Sequence, residues 1–358
     1  MESSTETSIG ERKLAAGCPS CAKTDNLRRC SGCKVLQYCG QDHQREHWTK
    51  HKSACNGVRR ARKSLEDTKQ ALINHPDFKD DNPFVKHVGW FWKIQETRPY
   101  MMGMSKLTQA IGELDHMDAV QAELDIYMEL LRLCPGDNMG IRGSVPGAML
   151  RLGKDQECYD FIKWFETAED YDRNFLNIKN ADIFEPVDFV RAKPVGDLSR
   201  PLCLILLKIK LLIEMLRLRN GETRIKQLKA NLIKEGKPLP DELFSAFAKD
   251  TRAQTITSPA LRARDDLMNG QGFSEKISTL KEQIDKLYDM IDAQNKHIWP
   301  AMDNPDEAFK RELTGMFSMG SEDEMRIALN ETFRAWLEVP GATEFIKFKI
   351  HGKVDELL

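Results

Sequence analysis

The spacing of cysteine and histidine near the N-terminus constrains this 358-residue chain more than any other feature. Two C-x2-C pairs are followed by a C-x3-H pair and an H-x3-C pair. The eight potential ligands are Cys18, Cys21, Cys30, Cys33, Cys39, His43, His51 and Cys55. A C-x2-C turn brings two sulfurs to one ion, and an i,i+4 pair places two side chains on one helical face. Eight ligands therefore predict two four-coordinate sites, with two Zn²⁺ ions per chain.

The predicted zinc is structural rather than catalytic. The 38 residues from Cys18 to Cys55 bury too little apolar surface to fold alone. A structural zinc site contributes on the order of 10 kcal/mol of apparent free energy to folding. A catalytic zinc keeps an open coordination position, whereas all eight ligands are used here. We therefore expect the metal to build a surface and not to perform a reaction.

This arrangement resembles the MYND-type zinc finger over about Cys18–Cys55. The shared features are the Tyr38-Cys39 pair, the Gln44-x3-Trp48 spacing and the His51-Lys52-x2-Cys55 end. In that family the ligands interleave between the two ions. The resemblance implies that the first ion (site 1) is held by Cys18, Cys21, Cys39 and His43. It implies that the second ion (site 2) is held by Cys30, Cys33, His51 and Cys55. His43 stands where the family usually has cysteine, and a neutral imidazole is an acceptable zinc ligand.

One alternative remains open for the ligands, and the spacing argues against a second. His47 lies midway in a series that repeats every four residues from Cys39 to Cys55, so it competes with His43 for site 1. The other interpretation of His47 is a solvated helix histidine. A RING-type cross-brace is a different arrangement of eight ligands, but it needs a further C-x2-C pair near the end, and the segment has none.

Gln44 and Trp48 are the predicted peptide-binding residues. They are four positions apart and so share one helical face. In MYND fingers the matching Gln and Trp line a shallow groove that accepts a short proline-containing peptide. An extended proline-rich ligand loses little entropy on binding, and aromatic surfaces suit it. The alternative is that Trp48 only covers the zinc core. The segment 35–38 offers a strand edge for pairing.

The charge is uneven along the chain. Residues 11–63 carry a net +9, whereas the chain as a whole carries −2. Nucleic acid is the rival partner, because a basic stripe near the finger combines a run at 59–63, with three arginines and a lysine, and five further basic residues: Arg28, Arg29, Lys34, Lys50 and Lys52. The alternative function is therefore a nuclear regulator associated with transcription or chromatin. Nothing resembles a base-reading helix, and such a run is also typical of a solvated helix face.

The rest of the chain predicts a mostly α fold, because apolar residues recur at 3–4 spacing. Predicted helices cover 118–133, 202–219, 275–295, 322–337 and 341–350, with a helix ending near 153 and another starting at 155. Helix–turn–helix units over 100–165 weakly resemble tetratricopeptide stacking, although no clean 34-residue repeat is present. A long loop is predicted at 170–200. The predicted domains are a disordered tail at 1–12, the finger at 13–57, a basic helix and linker at 58–98, and a helical, TPR-like body at 99–355.

The predicted function is that of an intracellular adaptor, in the cytoplasm or nucleus. The polar start of the chain lacks a secretory signal, and no run of about 18 apolar residues predicts a membrane span. Some MYND proteins are SET-domain methyltransferases, with the finger inserted in the SET fold, but only 17 residues precede Cys18. No G-x-G-x-x-G, Walker loop or H-E-x-x-H occurs, so we expect no enzyme. A third interpretation is that the finger only braces the helical body.

Overall fold

The computed structural model describes residues 12–79, 81–168, 176–190, 197–309 and 317–354. Helices dominate these ranges, which confirms the predicted mostly α fold. The described residues form two compact units, one mainly of residues 13–152 and the other mainly of residues 153–167 and 178–354. Within the described ranges, no helix combines the length and the apolar character that crossing a bilayer requires.

The first unit contains one small sheet and five α-helices among its described residues. Its elements are β1 (Arg28–Arg29), β2 (Gln37–Tyr38), α1 (Gln41–Ile73), α2 (Pro83–Lys86), α3 (Arg98–Gly112), α4 (Met117–Leu133) and α5 (Ser144–Arg151). The strands pair antiparallel, with Arg28 opposite Tyr38 and Arg29 opposite Gln37. Short 3₁₀ turns lie at Pro76–Phe78, Phe91–Lys93, Gln95–Thr97 and Ile141–Gly143. Strand β2 therefore already has a partner on one edge of the segment 35–38.

Helix α1 connects the finger to the next part of the chain without a break. It runs for 33 residues. It includes the zinc-ligand candidates His43, His51 and Cys55, and it also includes the whole basic run. The helix ends at Ile73, shortly before Pro76, whose ring cannot continue a helix. The predicted border at 57/58 therefore falls inside α1, and the division into domains stays a prediction.

The finger shares its hydrophobic core with helices α3 and α4. Leu36 and Val58, from the finger and α1, are buried in one cluster with Leu107 and Ile111 of α3 and with Ala119 of α4. Full burial of a Val, Leu or Ile side chain is worth about 1.5–3 kcal/mol. A module of this size is short of apolar area, and the two helices supply it. The finger is thus an integral part of the first unit.

The second unit is helical throughout most of its described residues. Its helices are α6 (Asp155–Thr167), α7 (Ser199–Lys234), α8 (Asp241–Thr255), α9 (Pro259–Arg262), α10 (Asp265–Met268), α11 (Phe273–Gln294), α12 (Ile298–Asp303), α13 (Pro305–Ala308), α14 (Glu322–Glu338) and α15 (Ala342–Ile350). A short 3₁₀ turn lies at Val187–Phe189. The predicted apolar helix at 202–219 is confirmed as the first half of α7, and its residues 202–209 are buried. Helix α7 packs against α6, α8, α11, α14 and α15 and forms the centre of the unit.

The described residues cover the other predicted helices in full and the predicted loop and tail in part. The helices predicted at 118–133, 275–295, 322–337 and 341–350 are present within one or two residues. The predicted loop at 170–200 is irregular over 176–190, and helix α7 begins at its end; residues 169–175 and 191–196 lie outside the described ranges. The predicted tail also lies outside them, except for residue 12. Helices α3 and α4 pack together, as do α4 and α5, and the tetratricopeptide resemblance stays a prediction.

Candidate metal centre

Two backbone turns present the first four cysteines. In the turn at Cys18–Cys21, the carbonyl of Cys18 accepts hydrogen bonds from the N–H groups of Cys21 and Ala22, at 3.1 and 2.7 Å. In the second turn, the N–H of Lys34 donates to the carbonyl of Cys30 at 2.9 Å. Each turn points two sulfurs to the same side, which is what a shared metal ion requires.

Gly32 allows the second turn to approach helix α1. A Cβ atom added at Gly32 would lie 2.7 Å from the Sγ of Cys55, closer than side chains tolerate. The absence of a side chain therefore lets the thiol of Cys55 reach the turn at Cys30–Cys33. This contact ties a loop ligand to a helix ligand 25 residues away, since Cys30 Sγ and Cys55 Sγ are 3.8 Å apart.

Site 1 unites the four residues that were predicted for it: Cys18, Cys21, Cys39 and His43. The Sγ of Cys39 lies 3.6 Å from the Sγ of Cys21 and 3.7 Å from the Sγ of Cys18. The Nδ1 of His43 lies 2.9 Å from the Sγ of Cys39 and 3.7 Å from the Sγ of Cys18. His43 therefore presents Nδ1 to the centre. Only Cys18 of this tetrad is fully buried.

Site 2 unites the other predicted tetrad: Cys30, Cys33, His51 and Cys55. All four residues are buried. The Nε2 of His51 lies 3.6 Å from the Sγ of Cys33. Helix α1 supplies His51 and Cys55 from one face, as the i,i+4 spacing predicted. The sites are thus interleaved along the chain, with site 2 inside the core and site 1 near its edge.

The donor atoms fit zinc. In each tetrad, one ligand atom from every residue lies within 4.8 Å of the others. A tetrahedral ion with Zn–S bonds of about 2.3 Å separates two sulfurs by about 3.8 Å. The observed separations of 3.6, 3.7 and 3.8 Å between sulfurs agree with this value. The distance of 2.9 Å between the Sγ of Cys39 and the Nδ1 of His43 is shorter than these sulfur–sulfur separations. Thiolate and imidazole donors in a tetrahedral set are the ligands of structural zinc, so the two tetrads fit two zinc ions.

Without a cation, the thiols within one tetrad oppose each other's ionisation. Burial opposes ionisation of Cys18, yet hydrogen bonds from the backbone around Cys39 and Ser20 lower the pKa of its thiol to about 6. Burial and the neighbouring sulfurs raise the pKa of Cys39 to about 11 and that of Cys55 to about 12. Ionising one thiol of a tetrad thus makes the next harder to ionise. A divalent cation removes this conflict because it stabilises all the thiolates at once.

His47 lies outside both tetrads. Its Nδ1 is 2.9 Å from the hydroxyl of Tyr38, and its ring stacks on that of His51 with centroids 5.8 Å apart. Tyr38 is almost fully buried, so its hydroxyl needs such a partner. The structure therefore groups His43, and not His47, with the three cysteines of site 1. The role of His47 is to satisfy Tyr38, which neither of its two sequence-based interpretations included.

Gln44 and Trp48 lie on the face of α1 that borders site 2. The side-chain Nε2 of Gln44 lies 3.4 Å from the Sγ of Cys30. The ring of Trp48 meets that of His51 edge-on, with centroids 6.1 Å apart, and the residue is 39% exposed. Trp48 thus covers part of site 2 and leaves the remainder of its ring open. Peptide binding by these two residues stays a prediction.

Sequence reasoning missed one further residue of this centre. The guanidinium of Arg62 donates to the carbonyl of Cys33 at 3.2 Å and so braces the second turn. Arg62 belongs to the basic run, and its charge by itself does not distinguish it from the other residues of that run. The position of Arg62 on α1 could have predicted this contact, because Arg62 follows His51, Cys55 and Val58 at helical spacing on the buried face.

The interleaved tetrads define a cross-braced, two-zinc finger. The model of the MYND finger family matches residues 18–55, so this segment is a MYND finger, a zinc-binding module for protein–protein interaction that is not itself catalytic. Among curated proteins, "Egl nine homolog 1" of Homo sapiens is 50% identical over 40 residues, which are 11% of this chain and 9% of that protein. "Histone-lysine N-methyltransferase ASHR1" of Arabidopsis thaliana is 41% identical over 46 residues, 13% of this chain and 10% of that protein.

These matches are confined to the finger. "Rho GTPase-activating protein gacZ" of Dictyostelium discoideum is 41% identical over 44 residues, 12% of this chain and 4% of that protein. The chain therefore covers a tenth or less of the length of each of these three relatives. No solved structure matches the chain. The matches span only 40–46 residues, so the finger is what the three relatives share with this chain.

Proposed function

We propose that this protein is an interaction adaptor whose finger docks a short proline-containing segment of a protein partner. The observation that carries the proposal is the position of Trp48. Its ring meets the ring of the site 2 ligand His51 edge-on, and the residue is still 39% exposed. A partly exposed aromatic side chain that is held in place by a neighbouring ring is suited to stacking against proline rings.

The rigidity of helix α1 supports this role. Three zinc-ligand candidates, His43, His51 and Cys55, fix the helix on both sides of Trp48. Gln44 is held one turn earlier by the sulfur of Cys30. A docking surface that is already ordered does not have to lose side-chain entropy on binding, which favours affinity. In this proposal the helical remainder of the chain acts as the scaffold that carries the finger.

A peptide titration with matched tryptophan variants tests the proposal. The probes are fluorescent peptides of about ten residues with one or two central prolines, each paired with a version in which alanine replaces proline. We expect Trp48→Ala to weaken binding by about tenfold or more, as for an aromatic hot-spot residue. Two zinc ions per chain should remain in that variant by elemental analysis. Trp90→Ala is the control, because Trp90 is 53% exposed and lies outside the finger.

Two results would contradict the proposed adaptor function. Equal affinity of the Trp48→Ala and Trp90→Ala proteins for the peptides would exclude docking at Trp48. Equal affinity for the proline and alanine peptides would exclude recognition of proline. The first result would leave the finger with a bracing role in the first unit, and the second would leave docking at Trp48 without a preference for proline.

The second candidate, a nuclear regulator that uses the basic run, has narrower support. Arg59 and Arg60 are exposed on α1 and available to phosphate. However, Arg62 is directed to the carbonyl of Cys33, and Lys63 pairs with Asp67 at 3.0 Å. The run itself thus offers two available arginines, and Arg28, Arg29, Lys50 and Lys52 of the finger are exposed beside it. DNA affinity that falls steeply with salt and is lost in Arg59→Ala/Arg60→Ala would favour this candidate over the adaptor.

A further inference from the structure

The distal part of the hairpin formed by α7 and α8 exposes an unusual amount of apolar surface. A small cluster of Ile225, Phe244 and Ala248 joins the two helices. Fourteen large apolar side chains are exposed among the described residues, and five of them lie within residues 228–247. These five are Leu228, Ile233, Leu239, Leu243 and Phe247. Such a concentration is typical of an interaction surface rather than of scattered exposed side chains.

A groove of about 480 Å³ runs between the two helices on one side of this hairpin. Its α7 wall consists of Arg217, Asn220, Gly221, Arg224, Ile225 and Leu228. Its α8 wall consists of Phe247, Thr251 and Thr255. Both walls follow helical spacing, so the groove runs along the helices for about 16 Å, or three helical turns. This length suits a short helix as the occupant.

Gly221 opens the floor of the groove. Glycine inside a helix costs roughly 1 kcal/mol relative to alanine, and α7 continues for 13 residues beyond it. A Cβ atom at Gly221 would meet nothing within 4 Å, so packing within the chain does not require glycine there. The missing side chain instead leaves room for close approach of a second backbone.

The charges of the groove are positive. Arg217 and Arg224 are its only charged lining residues, both lie at the surface, and neither has an ion-pair partner within the described part of the chain. They are seven positions apart on α7, or about 10 Å along its axis. Residues 217–255 contain nine Lys or Arg and five Asp or Glu, whereas residues 64–216 and 256–358 together carry −13. The groove thus lies in a basic segment of the chain, whereas the rest of the chain after residue 63 is acidic.

We propose that this groove docks a short, acidic, amphipathic helix of a protein partner. The apolar face of that helix packs on Leu228 and Phe247 over the opening at Gly221. Two carboxylates of the helix, two turns apart, pair with Arg217 and Arg224. This surface belongs to the second compact unit and does not depend on peptide binding by Trp48 in the first.

A designed peptide tests the groove in the full-length protein. The probe is a helical peptide of about 14 residues with leucines at 3–4 spacing and glutamates two turns apart; a second peptide carries lysines in place of the glutamates. Wild type should bind the glutamate peptide at least about tenfold more tightly than the lysine peptide. Arg217→Glu/Arg224→Glu should reverse this preference. Gly221→Leu should abolish binding without loss of helical circular dichroism, since leucine favours a helix but fills the groove.

The matched control is Lys226→Glu/Lys249→Glu, which makes the same change of charge on the same hairpin. Both lysines are exposed and lie outside the groove, so the affinity for the glutamate peptide should stay within about twofold of wild type. Trp48→Ala should also leave it unchanged, which separates this surface from the finger. Equal loss in the control and in Arg217→Glu/Arg224→Glu would overturn the proposal.

Two other occupants are outcomes of the same experiment. Wild-type dimers in light scattering that Gly221→Leu converts to monomers would assign the groove to a second copy of the chain. Binding to anionic phosphatidylserine vesicles in preference to the glutamate peptide would assign it to a lipid surface. Either result would overturn the proposed protein partner.

Discussion

The side-chain amide of Gln44 lies 3.4 Å from the sulfur of Cys30, so a residue predicted to bind peptide donates a hydrogen bond to a ligand candidate of site 2. Hydrogen bonds to a thiolate stabilise its charge and orient the ligand. Four residues later, Trp48 meets the ring of His51 of the same site edge-on. The face proposed to bind peptide is therefore built on the metal site, and a change in one affects the other.

Gln44→Glu should loosen zinc at site 2. The substitution replaces an amide donor with a negative charge beside the Cys30 thiolate, and loss of such a partner typically costs about 10–100-fold in metal affinity. Competition with a colorimetric chelator should release one of the two zinc ions at a lower chelator concentration than in wild type. Gln41→Glu, at the exposed start of α1, provides the same change of charge as a control. Identical release curves for the two variants would show that the Gln44–Cys30 hydrogen bond does not support the metal.

Arg62→Ala should destabilise the first unit more than Arg60→Ala. Arg62 is partly buried and donates to the carbonyl of Cys33, so its removal leaves a carbonyl unsatisfied at a cost of about 1–3 kcal/mol. Arg60 is exposed, and its replacement should change the free energy of unfolding by no more than about 0.5 kcal/mol. Urea denaturation of the full-length variants, with zinc present, measures both values. Equal midpoints would assign Arg62 to the solvated basic run instead.

The ligands of both sites could be predicted because their spacing is local. A C-x2-C turn and an i,i+4 helical pair fix the relative positions of neighbouring ligands within about five residues. The grouping of distant pairs into two interleaved tetrads came from the family resemblance. Helix α7 was likewise predictable, because an almost unbroken apolar run such as Leu202–Leu207 must be buried.

The relation of the finger to the rest of the first unit could not be predicted, because it depends on distant residues. Gln37 donates to the carboxylate of Asp118, which lies 81 positions later in the chain. Leu36 shares a core with Leu107, which is also far away in sequence. The short pairing of β1 and β2 involves two residues per strand, which is too few to produce an alternating pattern.

Removal of zinc should unfold more than the finger. Because the finger and helices α3 and α4 share one core, loss of site 2 should expose Leu107 and Ile111. Hydrogen–deuterium exchange after chelation should therefore become faster over 98–133 as well as over 13–73. Helix α11 belongs to the other compact unit and serves as the internal control, with unchanged protection. Unchanged exchange over 98–133 would mean that these helices fold without the finger and that the finger does not brace them.

Lys208 should make the stability of the second unit depend on pH. Its side chain is fully buried in α7, its ammonium donates to the carbonyl of Ile183, and it lies 4.8 Å from the centre of the Tyr159 ring. Burial lowers the pKa of Lys208 to about 7, although Glu185 and Asp182 act in the opposite direction. Between this pKa and the ordinary value of 10.5, the unfolded chain holds a proton that the folded chain has released. A rise in pH through this interval therefore favours the folded state.

Comparison with Lys208→Met isolates this effect. The free energy of unfolding of wild type, relative to that variant, should increase by about 1 kcal/mol per pH unit between about pH 7.5 and 9.5. Below the folded pKa the ammonium is charged in both states, so the difference should become constant. Lys226→Met, an exposed position on the same helix, should parallel wild type throughout. A pH-independent difference between wild type and Lys208→Met would show that Lys208 keeps its charge in the core, held by Glu185, Asp182 and the carbonyl of Ile183.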